Sequence, residues 1–324
     1  QKELELTIAL TNYCNFSCVY CYQNKNEKLM TTEVANMIIE KIDRILNDNI
    51  FEGINIHYFG GEPLLNIPVL IYLDENIKKI TDKIGIVYKA FLTTNGSMLS
   101  KELLQKVKFS SIQLTFDGLE KTHDRLRVSD HFHFKEEIEL IENIMNFSQA
   151  KVLLRTNICK ENKDEIIALH KYIFEKFGNE RIEINPNRTI KYHQDDSFEM
   201  LSVQEYAEVA YQIKLLWSEQ KGKFELPVPR STPCKFPYGN AYAISPEGYC
   251  TFCSGSMDQE KKYFFDVDIE NKKMFSVRKE CKKCNILPLC LGGCIIQYNL
   301  RAGACTYEKY ELKNILISYI KHIS

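Results

Sequence analysis

Three cysteines lie close together near the beginning of the chain, at Cys14, Cys18 and Cys21. Thiolates bind soft metal ions and iron–sulfur clusters, and a cluster is usually held by four of them. Three thiolates in one short segment can hold a four-iron cluster and leave one iron open to a further ligand. A structural zinc site would need a fourth ligand, and no other Cys or His lies close by in the sequence. The spacing therefore favours a catalytic iron–sulfur cluster over a zinc knuckle or three buried cysteines.

A second group of cysteines lies towards the end of the chain. Its core has the spacing Cys-x2-Cys-x5-Cys-x3-Cys, and the whole group is Cys234, Cys250, Cys253, Cys281, Cys284, Cys290, Cys294 and Cys305. Tight grouping without a secretion signal favours metal binding in a reducing cytoplasm over a disulfide framework. Iron–sulfur clusters and a pair of zinc ribbons both fit this spacing.

Polar residues follow several strand-like segments, where parallel α/β folds keep their active sites. Gly60-Gly61-Glu62-Pro63 follows the second segment; paired glycines let the backbone approach a ligand closely, and a carboxylate can accept a hydrogen bond from an ammonium group. Asn95 ends the third segment, and Thr115 and Asp117 end the fourth. Ordinary turns use the same residue types, so each motif alone is a weak signal.

Strand-like and helical patterns alternate over residues 1–222. Strands are predicted at 4–10, 54–59, 87–93, 112–116, 152–158 and 182–185, and helices at 68–79, 101–107, 134–147, 163–177 and 203–220, after a first helix opening at Thr31. Six such repeats imply a parallel sheet with helices outside, whereas a closed eight-stranded barrel needs two more. A small cysteine-rich domain is predicted over 223–309.

A closing helix is predicted over 310–324. Its apolar residues fall on one face at helical spacing, at Leu312, Ile315, Leu316, Tyr319 and Ile320.

The composition excludes several classes of protein. The 324 residues are 44% hydrophobic and 26% charged, with a net charge of −1, which is typical of a globular protein with a large core. Without a basic arm or a long apolar run, neither nucleic acid nor a membrane is expected as the main partner. No signal peptide is recognisable, so a cytoplasmic location is expected.

The motif Cys-x3-Cys-x-Tyr-Cys at residues 14–21, followed by the Gly-Gly-Glu-Pro motif, resembles the radical S-adenosylmethionine (SAM) enzymes. The resemblance implies a partial (β/α)6 TIM-like barrel. It implies a [4Fe-4S] cluster at Cys14, Cys18 and Cys21 whose open iron chelates the methionine part of SAM. Tyr20 would lie beside the adenine, and Gly60, Gly61 and Glu62 would bind the amino group.

The stretch from Thr115 through Asp117 to Arg127 resembles the pattern S/T-x-D-G…H-D…R of the peptide-modifying branch of that family. The resemblance directs Thr115 towards the ribose or carboxylate of SAM and makes Asp117 and Arg127 further candidate ligands, together with Asn95. Arg155 lies inside the fifth strand, where a buried Arg needs an anionic partner. That partner is either the carboxylate of SAM or an internal Asp117 or Glu183.

The C-terminal cysteines resemble the SPASM domain, which carries two auxiliary [4Fe-4S] clusters. By resemblance Cys281, Cys284, Cys290 and Cys305 bind the distal cluster, while Cys294 joins Cys234 and Cys250 at the nearer one. Cys253 is predicted as the fourth ligand there, because it lies three residues beyond Cys250, as Cys21 does beyond Cys18. The alternative is an open iron that binds a substrate thiolate. Cys159 receives no role.

The resemblance implies an enzyme with three clusters that makes a 5′-deoxyadenosyl radical and modifies or cross-links a ribosomally made peptide. An electron donor such as flavodoxin or ferredoxin is then needed. The alternative is an anaerobic sulfatase-maturing enzyme, in which an Asp follows the second cysteine of the nearer cluster; here Thr251 follows Cys250. A zinc-binding interaction module is the non-enzyme alternative. His57 and His123 are expected to be structural.

Overall fold

The computed structural model describes residues 3–48, 51–178, 181–191, 197–224, 226–231, 234–238, 240–251, 253–255, 262–267, 277–294 and 305–323. All twelve cysteines fall within these ranges. None of the described helices is long and apolar enough to cross a bilayer.

Strands and helices alternate as predicted. The strands are β1 (Glu3–Ala9), β2 (Gly53–Phe59), β3 (Val87–Thr93), β4 (Phe109–Thr115), β5 (Lys151–Ile158), β6 (Ile182–Arg188), β7 (Ala241–Ile244), β8 (Tyr249–Thr251) and β9 (Lys262–Tyr263). The helices are α1 (Thr32–Asp48), α2 (Ile67–Ile84), α3 (Lys101–Lys106), α4 (Glu120–Leu126), α5 (Phe134–Phe147), α6 (Ile166–Phe177), α7 (Val203–Lys221), α8 (Lys235–Tyr238), α9 (Leu287–Cys290) and α10 (Glu308–Ile323). The short helix α4 was not predicted.

One sheet of nine strands runs through the molecule in the order β6-β5-β4-β3-β2-β1-β7-β8-β9. Strands β1 to β6 are parallel, and no pairing between β6 and β1 occurs among the described residues, so the predicted partial barrel is confirmed. Strand β7 adds to the free edge of β1 in parallel, and β8 and β9 follow antiparallel. The sequence did not predict this extension, because strands of two to four residues carry too little periodicity to be recognised.

The two faces of the sheet differ in chemistry. On β1 and β2, Leu4, Leu6, Ile54 and Ile56 are fully buried and belong to the hydrophobic core, because successive strand residues point to opposite faces. The other face is polar, and its side chains pair with one another across strands. The His57 imidazole lies 2.7 Å from the Thr93 hydroxyl, and the Asn185 amide donates to Gln113 at 3.0 Å. The inside of the barrel is therefore a polar cavity wall.

Helix α10 packs against α7 with only part of its apolar face. Glu311 and Ile315 are buried there, and Lys214 of α7 contacts Glu311 at 2.6 Å. Leu316 and Ile320 of the same apolar face are exposed. The helix is held by an ion pair and by a hydroxyl contact between Tyr211 and Ser318, which an apolar pattern does not reveal.

Candidate functional site

The segment that carries Cys14, Cys18 and Cys21 follows β1 at the carboxyl edge of the sheet. Its first residues run beside the turn after β2. There the Gly61 amide donates a hydrogen bond to the Thr11 carbonyl and the Glu62 amide donates one to the Tyr13 carbonyl, both at 2.8 Å. A Cβ on Gly61 would lie 2.1 Å from the Tyr13 carbonyl oxygen, and Gly60 adopts a φ of +134°. The glycine pair is therefore required for the close approach of this turn to the cysteine segment.

The other side of the cysteine segment pairs with the residues that end α4. The Ser17 amide donates to the Val128 carbonyl at 2.8 Å, and the Val19 amide donates to the Leu126 carbonyl at 3.0 Å. Phe16 is almost fully buried, which anchors the segment to the core. The cysteine segment is thus held on one side by the turn after β2 and on the other by the end of α4.

The thiols of this segment lie in an environment that suits a metal cluster. The Phe16 amide donates to the Cys14 sulfur at 3.4 Å, and the Asn95 side-chain amide lies 3.8 Å from it. Burial raises the pKa of Cys14, and it raises the pKa of Cys18 to about 12. Without a metal these thiols are therefore neutral, and metal binding must release their protons. Amide donors to cysteine sulfur are the contacts that tune iron–sulfur clusters, so the donor set fits one.

A single metal ion fits this environment less well. In the described part of the chain, no group of three His, Cys, Asp or Glu side chains converges closely enough to hold one ion. One zinc ion would bring each thiolate sulfur to about 2.3 Å.

Glu62 is fully buried and joins the turns that follow β2 and β3. Its carboxylate accepts from the Leu64 amide at 2.9 Å, the Thr94 hydroxyl at 2.7 Å and the Asn95 amide at 2.7 Å. Burial raises the pKa of Glu62, and these hydrogen bonds act in the opposite direction. The structure therefore brings Glu62 and Asn95 together beside Cys14, as their positions predicted, although their contact with SAM stays a prediction.

Asp117 connects the cysteine segment to the ends of β4 and β5. Its fully buried carboxylate accepts a hydrogen bond from the Tyr20 hydroxyl. It accepts another from the Asn157 backbone amide at 2.7 Å. Burial raises the pKa of Asp117, while the neighbouring Arg127 lowers it. Tyr20 is therefore fixed at the rim of the barrel by a hydrogen bond that its aromatic character alone does not predict.

Arg155 lies on β5 directly beside Thr115 of β4. Its Nε donates to Asn157 at 2.9 Å, and Glu183 pairs with Lys151 instead. No ion pair of Arg155 occurs among the described residues, so the alternative of an internal salt bridge to Asp117 or Glu183 is not observed there. Burial lowers the pKa of Arg155 and the charge of Asp117 raises it, so an acidic neighbour remains near the guanidinium. Contact of Arg155 with SAM stays a prediction.

A buried pair below this rim was missed by the sequence analysis. His123 Nε2 lies 3.1 Å from a Glu137 oxygen, and the two side chains are 2% and 1% exposed. The other ring nitrogen of His123 accepts from the Asp117 amide at 3.4 Å, so both nitrogens are occupied and His123 is structural, as expected. The sequence signal for this pair was the position of Glu137, an acidic residue among the apolar residues on the buried face of α5.

Three C-terminal cysteines lie near one another. Burial raises the pKa of Cys234, and the neighbouring Cys294 and Cys253 raise it further. The Gly255 amide donates to the Cys253 sulfur at 3.3 Å, which is the same contact from two residues on that Cys14 receives. Cys250 is buried in β8. The pKa effects indicate that Cys253 and Cys294 each lie in the neighbourhood of Cys234.

The remaining C-terminal cysteines lie on turns around α9. Cys281 and Cys284 share one turn, closed by a 3.0 Å hydrogen bond from the Cys284 amide to the Cys281 carbonyl. Cys290 ends α9 and accepts from the Gly292 amide at 3.4 Å. Cys305 lies just before α10, after the undescribed residues 295–304. By contrast, Cys159 is fully buried in a small cluster with Leu126 and Phe198, against which Val19 and Tyr20 of the first cysteine segment pack.

Several proteins are similar to this chain over different lengths. Radical SAM cyclopropyl synthase TigE from Paramaledivibacter caminithermalis is 24% identical over 96% of this chain and 73% of its own length. GTP 3′,8-cyclase from Clostridium perfringens is 31% identical over 51% of this chain and 50% of its own length. The uncharacterized protein MJ0907 from Methanocaldococcus jannaschii is 34% identical, and the chain spans only 39% of it.

Two solved structures share the fold of the whole chain. The structure of anSMEcpe with bound AdoMet has a TM-score of 0.75 at 18% identity and covers 99% of this chain and 98% of its own. Streptococcus suis SuiB bound to the precursor peptide SuiA has a TM-score of 0.61 at 18% identity, covering 91% and 72%. The model of the radical SAM superfamily matches residues 8–173, which include the cysteine segment, the glycine turn and the β4 rim. On that match, the chain is a member of the radical SAM superfamily.

Proposed function

We propose that this protein is a radical SAM enzyme of the SPASM type that modifies or cross-links a ribosomally made peptide. The observation that carries the proposal is the extent of the structural match. Similarity to anSMEcpe and SuiB, each of which has been solved with a bound peptide, extends through the cysteine-rich region, whereas similarity to the GTP cyclase covers half of the chain. Because identity is low, the likeness indicates the fold, and the peptide substrate is our inference.

Family membership implies a [4Fe-4S] cluster and SAM, and Cys14, Cys18 and Cys21 are the residues that would hold the cluster. Once bound, the cluster and SAM supply a 5′-deoxyadenosyl radical that removes hydrogen from the substrate. The protein contributes the positions of the thiols, which are half-buried at the rim of the barrel. Asn95 donates towards Cys14, and Tyr20 is held by Asp117.

SAM would be held by the polar groups that end the first five strands. In our proposal the turn at Gly60, Gly61 and Glu62 receives the amino group of SAM. Thr115, Asp117, Arg127 and Arg155 line the opposite side. Because the Glu62 side chain already accepts three hydrogen bonds, we expect carbonyl oxygens of this turn to supply part of that contact.

We infer two auxiliary [4Fe-4S] clusters, which makes three in all. The nearer cluster would use Cys234, Cys250, Cys253 and Cys294, and the distal cluster would use Cys281, Cys284, Cys290 and Cys305. The effect of Cys253 and Cys294 on the pKa of Cys234 supports the first set. An electron donor such as flavodoxin or ferredoxin completes the proposed reaction.

The sulfatase-maturing activity is the second candidate, favoured by the match to anSMEcpe at a TM-score of 0.75. In those enzymes the residue after the second cysteine of the nearer cluster is an Asp that serves as base. Here Thr251 is buried, and its hydroxyl donates to the Cys253 carbonyl at 2.9 Å. A hydroxyl committed in this way does not replace a carboxylate base.

The test is an anaerobic assay of the reconstituted enzyme with SAM, reductant and a short peptide encoded beside its gene. We expect the peptide to lose hydrogen or gain a cross-link by mass spectrometry, with 5′-deoxyadenosine formed alongside. GTP and a sulfatase-derived Cys peptide serve as comparison substrates. Turnover of GTP would overturn the peptide assignment, and many turnovers to formylglycine would establish the second candidate instead.

A further inference from the structure

The turn that precedes α9 carries a cluster of positive charges. Residues 277–294 hold four basic side chains and one acidic side chain, whereas the whole chain has a net charge of −1. The acidic residue, Glu280, lies 3.5 Å from Arg278 and balances only one of the four. The other three basic residues are exposed and have no ion pair in the part of the chain that the structure describes; we call them the lysine face, and they are Lys279, Lys282 and Lys283.

The backbone of this turn places its lysines and its cysteines on different sides. The amides of Cys281, Lys282 and Cys284 each donate to the carbonyl three residues before them, at 3.0, 3.3 and 3.0 Å. With about three residues per turn in such a backbone, side chains three apart lie above one another. Lys279 and Lys282 therefore form one row, and Cys281 and Cys284 form another. The cysteines are half-buried and the lysines are exposed, so the lysine face is the solvent side of this turn.

The lysines beside the first cysteine segment are bonded to the protein instead. The Lys25 ammonium donates to the Phe16 carbonyl, and the Lys28 ammonium pairs with Glu247. A partner that is attracted by positive charge therefore finds uncompensated lysines at the C-terminal cysteines rather than at the first segment.

We propose that the lysine face is the docking surface for an acidic protein that carries single electrons. The proposal rests on the proposed function, because it needs a cluster at Cys281 and Cys284. Complementary charge steers such a partner to a positive patch and fixes its orientation there. The docked carrier then lies across one turn of backbone from two of the proposed cluster ligands. A nucleic acid would be attracted by the same charges, but it would make no use of the cysteines behind them.

The test is cross-linking of the reconstituted wild-type enzyme to an acidic flavodoxin with a carbodiimide, which joins lysine amines directly to neighbouring carboxylates. Peptide mass spectrometry locates the joined residues, and we expect them to be those of the lysine face. The dissociation constant of the complex should rise between low and high salt, because exposed charges are screened over about 10 Å at 0.1 M ionic strength.

Two triple variants measure the contribution of these charges. Replacing all three lysines of the lysine face with Gln should raise the dissociation constant at low salt by about tenfold or more, and replacing them with Arg should restore it. The matched control combines Lys78→Gln, Lys79→Gln and Lys83→Gln on the exposed side of α2, which removes the same net charge elsewhere. Its dissociation constant should stay within about twofold of the wild type. Cleavage of SAM driven by dithionite should be unchanged in all of them, because a small reductant needs no docking surface.

Cross-links that map outside the lysine face would overturn the proposal, and so would an equal loss of affinity in the Gln variant and the α2 control. The cross-linking uses wild-type protein, so it decides the question even if the Gln variant fails to load iron. Binding of single-stranded RNA that is lost in the Gln variant, without binding of the flavodoxin, would assign the lysines to nucleic acid and overturn the proposal as well. A wild-type protein that holds iron for the first cluster alone would instead refute the auxiliary clusters of the proposed function, so the two failures are distinguishable.

Discussion

The cysteine segment after β1 is fixed by the sheet, whereas the described cysteines after β9 lie on turns and on a helix of four residues. The first segment hydrogen-bonds to the turns on both sides and buries Phe16 in the core. In the second, between residues 277 and 294, Ile286 and Cys290 are the buried side chains. The difference suggests a proposal for the order of assembly: the first site is formed before metal arrives, whereas the C-terminal region would need its proposed clusters to complete its fold.

The largest expected effect separates the two regions by function. Replacing Cys14, Cys18 and Cys21 together with Ala should reduce 5′-deoxyadenosine formation to background, because in our proposal these thiols hold the cluster that binds SAM. Iron content should fall by about four atoms per chain, while absorbance from the proposed auxiliary clusters should persist. Cleavage of SAM by the reduced triple variant would contradict the assignment.

Removal of iron should disorder the C-terminal region and leave the sheet intact. After chelation under reducing conditions, we expect amide hydrogens at residues 277–294 to exchange rapidly, because few apolar contacts hold them. Amides of β1 to β6 should remain protected. Hydrogen-exchange mass spectrometry measures the protection of both regions. Equal loss of protection in the two would contradict the proposal that only the C-terminal region depends on metal for its fold.

A single cysteine tests the ligand set of the C-terminal region. Cys253→Ala should lose a large part of the iron of the nearer auxiliary cluster and much of the product, yet retain SAM cleavage. Cys159→Ala is the matched control, since Cys159 is buried with Leu126 and Phe198 and is none of the C-terminal cysteines. Its iron at the proposed nearer auxiliary cluster should equal that of the wild type. In a metal-bound structure, a Cys253 sulfur more than about 3 Å from every iron would exclude ligation.

The smallest expected effect probes how tightly the first segment is held. Gly61→Ala places a Cβ against the Tyr13 carbonyl oxygen, and backbone on both sides must move, so we expect about 1–3 kcal/mol of destabilisation and reduced loading of the first cluster. Gly222→Ala is the control; it has a φ of +61° but open space around it, so only about 1 kcal/mol is expected. Chemical denaturation of both variants measures the difference. Equal losses of stability in the two variants would show that the close approach of Gly61 to Tyr13 does not contribute to stability.

Much of the site could be predicted because its residues end consecutive strands. Parallel strands in sequence order bring their carboxyl ends to one edge, so Glu62, Asn95 and Asp117 had to converge near the cysteine segment. The spacing of the cysteines and the glycine turn also identified the family, which the match over residues 8–173 confirms. Local sequence was sufficient for these features because each depends on a motif and on strand order alone.

Other features were decided by tertiary contacts between distant parts of the chain. The pairing of β7 with β1 and the buried contact of His123 with Glu137 depend on register and packing that no periodicity encodes. The cysteine segment is joined to the end of α4 by the hydrogen bonds of Ser17 to Val128 and of Val19 to Leu126, across a separation of more than a hundred residues. Sequence determined which residues could take part in the chemistry. Only the folded chain decided which charges face one another, because side-chain burial and cross-strand register are set by the whole sheet.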